Sequence, residues 1–136
     1  MRIAFSMALV LLVVGAIGTP TSAQQRGVSL VNAQQADSAI PGHDVISIVV
    51  DFAPGGTTGL ITHPTDMVGY VVSGAVVLEQ EGIAPRLLDT GANFIVPAGV
   101  VYSHTNHGAA VARMHATYVL DKTKALTRPM HASARR

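Results

Sequence analysis

Residues 44–120 are written in short β-branched runs, each stopped by glycine, proline or both. Residues 45–52 read VISIVVDF and halt at Ala53-Pro54-Gly55-Gly56. Residues 67–73 meet Gly74 and residues 75–79 follow, so Ser73-Gly74 is expected to form a tight hairpin turn. Glu81-Gly82 marks the next turn. Residues 86–88, 93–96, 100–105 and 110–120 complete the set, divided by Asp89-Thr90-Gly91, Pro97-Ala98-Gly99 and Asn106-His107-Gly108. No stretch of this span carries the 3.6-residue apolar stripe and caps of a helix. Many short strands at near-regular spacing imply an all-β sandwich or barrel. With so few residues in the strand-forming span, one compact barrel over residues 44–122 is the economical solution.

The flanks have a different character. Arg2 is followed by an uncharged apolar run over residues 3–18, then Pro20 and the small residues Thr21-Ser22-Ala23. This is the layout of a secretory signal over residues 1–23, with cleavage after Ala23 and a periplasmic or secreted destination. The run is shorter than the about 20 apolar residues that a membrane span needs, and no permanent membrane anchor is expected. Residues 24–43 are polar and small and read as an extended arm with one short strand at residues 28–31. Residues 123–136 read as a C-terminal tail, loose from Thr127 onward.

Composition narrows the function classes. The 136 residues suit a single domain, and a net charge of +1 provides no field for nucleic acid. The chain has no cysteine, which excludes disulfides, thiolate-bound zinc, a thiol nucleophile and a lipoprotein anchor. Core burial must hold the domain together, helped by dimerisation. The near-continuous apolar run over residues 45–50 suits a strand covered on both sides.

Two spaced motifs lie within the strand region. In the first, Gly55 is followed after five residues by Ile61-Thr62-His63, then Pro64-Thr65-Asp66-Met67, then six residues to Gly74. In the second, Gly91 is followed after five residues by Pro97-Ala98-Gly99, then Val100-Val101-Tyr102, and then Ser103-His104-Thr105-Asn106. The glycines, the proline, the asparagine and all the spacings resemble the paired motifs of the cupins. The resemblance implies a jelly-roll β-barrel, pairing into homodimers, and a divalent metal held by two His, a Glu and a further His. Carried over residue by residue, those four ligand positions are Ile61, His63, Met67 and Tyr102. Only His63 retains a ligand, and a thioether is a poor donor to iron, manganese or zinc.

Strand parity gathers a different set. Tyr102, His104 and Asn106 share one face of their strand, and His63 should point to the same interior beside Ile61. Two readings stay open. In the first, Ile61, His63, Met67, Tyr102, His104 and Asn106 line a small-molecule pocket with an apolar wall. In the second, His63, His104 and Tyr102, with Asp66 swinging in, rebuild a site for iron, manganese or zinc. The resemblance then implies a dioxygenase, isomerase or decarboxylase-like enzyme. His115 shares a face with Arg113 and is expected outside. His43, His107 and His131 fall in turns and ends, where surface histidine is the default. Ser103 and His104 are neighbours on a strand and face opposite ways, so they form no catalytic couple.

Overall fold

The computed structural model describes residues 25–129. The expected signal peptide over residues 1–23 and the last residues of the expected tail, His131 included, lie outside the described residues. The described residues form strands only: β1 (Arg26–Asp37), β2 (His43–Thr57), β3 (Ile61–Thr62), β4 (Met67–Ser73), β5 (Val76–Gln80), β6 (Arg86–Leu88), β7 (Asn93–Val96), β8 (Tyr102–Thr105), β9 (Ala112–Asp121) and β10 (Arg128–Pro129). Every pairing is antiparallel. One face runs β1-β2-β9-β4-β7 and the other β6-β5-β8-β3-β10. They meet along β2 and β8, where Thr57 pairs with Thr105. The result is an all-β, nearly closed single barrel of the kind expected.

Alternation builds the interior. In β4, Met67, Gly69 and Val71 are buried while Val68, Tyr70 and Val72 face out. In β9, Ala112, Met114, Ala116, Tyr118 and Leu120 are buried, and the residues between them are half-exposed. Period-two patterning of this sort fixes register, because a one-residue slip would turn the whole apolar set to solvent. Phe52, Met67, Val71, Val76 and Leu78 are almost wholly removed from water. Each such side chain contributes about 1.5–3 kcal/mol from burial.

Four segments differ from the sequence expectation. Ser73-Gly74 is a corner, not a hairpin: β4 pairs with β7 and β9, whereas β5 pairs with β6 and β8, so the chain passes from one face to the other. β2 does not stop at Pro54. Gly55 takes φ 77°, a conformation that costs glycine little, and the strand bends there to reach β8. β1 is a twelve-residue strand paired along β2, where only a short strand was expected. Its polar sequence fits an edge position with both faces largely in water. The expected loose tail is also tied down at its start. Arg128 and Pro129 pair with Thr62 and Ile61, and the Leu126 side chain is buried in the core.

Gly69 shows how closely this interior is packed. It stands opposite Phe94 on β7 and Ala116 on β9. A Cβ at Gly69 would lie 2.1 Å from Phe94 Cζ. The small residue lets the Phe94 ring lie across β4. We expect Gly69→Ala to lower unfolding free energy by about 1–3 kcal/mol through overpacking, measured by chemical denaturation. A loss no larger than that of the outward Val68→Ala would contradict this packing.

Candidate functional site

β3, β4, β8 and β9 bring five polar or sulfur-bearing side chains into one end of the barrel. Tyr102 on β8 stands opposite Ile61 on β3. Met67 on β4 stands opposite Tyr118 on β9. His63 follows β3 directly and is held in place because its carbonyl accepts the Gly99 N–H at 2.8 Å. These placements put His63 against both tyrosines, with ring centroids 5.4 Å from Tyr102 and 5.0 Å from Tyr118. His104 lies one inward-facing position further along β8, 5.2 Å from the Tyr102 ring.

The hydrogen bonds fix the protons. His63 Nδ1 donates to the Leu126 carbonyl oxygen at 2.7 Å, since a carbonyl can only accept. In a neutral imidazole the other nitrogen is then an acceptor. Tyr102 therefore donates its hydroxyl proton to His63 Nε2. Tyr118 donates to Met67 Sδ at 3.1 Å, a weaker acceptor, which also lies 3.5 Å from the Tyr102 hydroxyl. Burial pushes the His63 pKa below its ordinary value, against an opposing pull from the Leu126 carbonyl. Burial raises both phenols, and for Tyr102 the nearby Tyr118 adds to the rise. All three groups are thus neutral near pH 7.

His104, like Met67, has no exposed surface. Neither of its ring nitrogens has a hydrogen-bond partner. Desolvation, with a smaller contribution from His63, pushes its pKa down to about 3.

The remaining sequence candidates divide clearly. Ile61 packs against the core beside this cluster. Asn106 is buried on the expected face, but its amide is committed to the chain turn. Its Nδ2 donates to the Phe52 and Ala110 carbonyls and its Oδ1 accepts from Gly108 N. Asp66 does not swing in. It is exposed, and its Oδ1 accepts the Ala98 N–H at 2.8 Å. His115 faces outward and bonds Ser47 Oγ at 2.7 Å, next to the Arg113–Asp51 ion pair. His43, the first residue of β2, bonds the carbonyl of Pro41 in the turn before it, and His107 is exposed. Sequence reasoning missed Tyr118 and Leu126. The alternation that put His115 outside puts Tyr118 inside, so that signal was present. Nothing local marks the Leu126 carbonyl.

Beside His63 the surface opens into a cleft of about 440 Å³ lined by Thr62, His63, Pro64, Ala98, Gly99 and Lys124. The inner side chains themselves are closed off: Met67 and His104 are fully buried and Tyr102 is 2% exposed.

The sequence matches the cupin domain family over residues 48–119. The chain belongs to the cupin family. No curated protein matches it. Among solved structures, an uncharacterized conserved protein with a double-stranded β-helix domain from Klebsiella pneumoniae is 20% identical with TM-score 0.60, covering 96% of this chain and 98% of its own. An oxalate oxidase is 23% identical with TM-score 0.59, covering 76% of this chain and 55% of its own. An RmlC-like cupin from Shewanella frigidimarina is 18% identical with TM-score 0.51, covering 65% and 84%. The chain thus spans about half the length of the oxalate oxidases it resembles. These likenesses concern the fold.

A metal of the kind cupins often hold does not fit these residues. Ile61 has no donor atom. Both His63 nitrogens are taken up by Leu126 and Tyr102. Met67 receives a tyrosine hydroxyl, and Tyr102 is held as the neutral phenol. Among the described residues no three His, Cys, Asp or Glu side chains gather to hold a metal ion. His63, His104 and Tyr102 do converge, as strand parity required, but two of the three turn their donor atoms on each other.

The buried histidines make stability depend on pH. His104 has a folded pKa of about 3 against an ordinary value of 6.5. Between those values the unfolded chain binds a proton that the folded chain refuses, so stability is full above pH 6.5 and declines as pH falls. The slope from this group is about 1.4 kcal/mol per pH unit. His63 acts in the same direction. We expect urea denaturation between pH 7 and pH 4 to show this decline, and His104→Phe to flatten it by about one proton's worth. An unchanged slope in His104→Phe would contradict the buried neutral imidazole.

Proposed function

We propose that this is an exported cupin-domain protein that binds a small organic molecule at the His63 end of its barrel, where the family's metal site has been lost. The observation that carries this reading is the cleft beside His63. It is an open surface cleft of about 440 Å³, with room for a small organic molecule. It opens on the one position of the four-ligand motif that keeps its histidine. The loss of the other three donors supports binding over metal-dependent turnover, because metal catalysis needs a donor set that this end of the barrel lacks. Nothing in the geometry favours the dioxygenase, isomerase or decarboxylase-like reading over simple binding.

Export rests on the sequence of residues 1–23, with the mature chain starting at Gln24. Among the described residues no helix is long and apolar enough to cross a membrane. Pairing into a homodimer is supported by the outward face of β4 and β7. There Val68, Tyr70, Val72 and Ile95 are all exposed on neighbouring strands, and adjoining apolar side chains of this kind suit a protein–protein contact.

Native mass spectrometry of the protein isolated from the envelope fraction tests all three parts together. The expected spectrum is a dimer of chains beginning at Gln24, carrying a small organic adduct and no stoichiometric metal. Ala98→Trp, which fills the cleft beside His63, should lose the adduct and keep the far-ultraviolet circular dichroism of the barrel. A stoichiometric iron, manganese or zinc ion lost in His63→Ala would overturn the reading. Intact Met1 on envelope-fraction protein would overturn the export claim.

A further inference from the structure

One imidazole at this end of the barrel makes no hydrogen bond through its ring. His104 is fully buried, and both of its ring nitrogens lack a partner. A neutral imidazole carries one N–H donor and one lone-pair acceptor, and buried polar groups are almost always paired. If packing were its only role, a phenylalanine would serve better, since it leaves no polar atom unsatisfied. The rings around it are apolar or aromatic: Phe94 at 4.9 Å, Tyr102 at 5.2 Å and Phe52 at 6.2 Å between centroids.

The charge inventory of the interior restricts what His104 can receive. Among the described residues the buried polar side chains other than tyrosine are His63, Gln80, Ser103, His104 and Asn106. None is a carboxylate, an ammonium or a guanidinium. A carboxylate or a metal ion placed beside His104 would be buried with no counter-charge, which is far costlier than burying a neutral polar group. His104 itself cannot supply the charge, because its surroundings keep it unprotonated.

We propose that His104 is the recognition group of an occluded site for a small uncharged molecule that has one hydrogen-bond donor and one acceptor on an apolar body, such as a primary amide or an alcohol. This rests on the reading that small molecules enter at the His63 end. The donor and acceptor satisfy the two ring nitrogens, and the apolar body lies against Phe52 and Phe94. The nitrogens have no accessible surface, so the molecule enters only as the packing opens. At that end the segment holding Leu126 is fixed by its carbonyl bond to His63 and by the two-residue pairing of β10 with β3.

Matched probes of the same shape test the ligand class. Benzamide, benzyl alcohol, benzoate and zinc ion are each titrated at pH 7 into the full-length protein with ¹⁵N-labelled histidine, following the ring nitrogens of each histidine. Benzamide or benzyl alcohol should shift the His104 ring resonances. Benzoate should bind there about a hundredfold more weakly or not at all, given the cost of burying its charge. His104→Phe should fold, lose the amide response and gain thermal stability without probe. His104→Gln, which keeps a donor and an acceptor, should restore part of the response.

Benzoate or zinc moving the His104 resonances as strongly as benzamide would overturn the ligand class while leaving the His63-end binding site standing. Neutral probes that shift His63 and leave His104 still would overturn the inner site alone. No response at either histidine from any probe up to the solubility limit would overturn both.

Discussion

The whole interior at this end hangs on the hydrogen bonds of His63. Its Nδ1–H is fixed by the Leu126 carbonyl, which leaves Nε2 with only a lone pair to offer, and Tyr102 must fill it. One imidazole therefore ties the segment after β9 to β8, across the barrel from β4 and β9. The arrangement works only while the ring is neutral, since a protonated His63 could not accept from Tyr102. Burial supplies that neutrality, and no interior charge among the described residues opposes it. Among the described residues, every buried polar side chain of this interior is thus uncharged.

The substitutions at the old ligand positions are consistent with this replacement. Ile61 packs against the core and removes a donor. Met67 is long and adaptable enough to fill space beneath two phenols, and its sulfur accepts from Tyr118. Tyr102, where the cupin motif has a metal ligand, donates to His63. Phe94 lies over Gly69 and against His104, so that the aromatic wall reaches that buried imidazole. Each change makes sense beside the others and little sense alone. His104 stands apart, a fully buried imidazole with neither ring nitrogen paired; the Thr62 hydroxyl, beside the cleft, is the other buried polar group without a partner among the described residues.

Much of this was legible in the sequence. The glycine and proline punctuation located most strands, and the two motifs brought His63 and Tyr102 to one interior. Parity put His104 inside and His115 outside. The failures have physical causes. Ser73-Gly74 looks like a hairpin because local turn chemistry does not say which strands pair on either side. β1 escaped notice because an edge strand with two wet faces has no apolar alternation to read. The hold of residues 126–129 was invisible because it comes from a backbone carbonyl and a two-residue pairing, neither of which leaves a mark on side-chain type. Tyr118 could have been found by continuing the β9 alternation past Ala116.

The account stands most directly on the protonation of the two inner histidines, which long-range ¹H–¹⁵N spectra of the imidazole rings report. At pH 5, where an ordinary histidine is largely protonated, the His104 ring should still be neutral, and at pH 7 His63 should be in the Nδ1–H form. A His63 or His104 that titrates near its ordinary value, or a His63 that carries its proton on Nε2, would contradict the neutral, self-bonded interior described above.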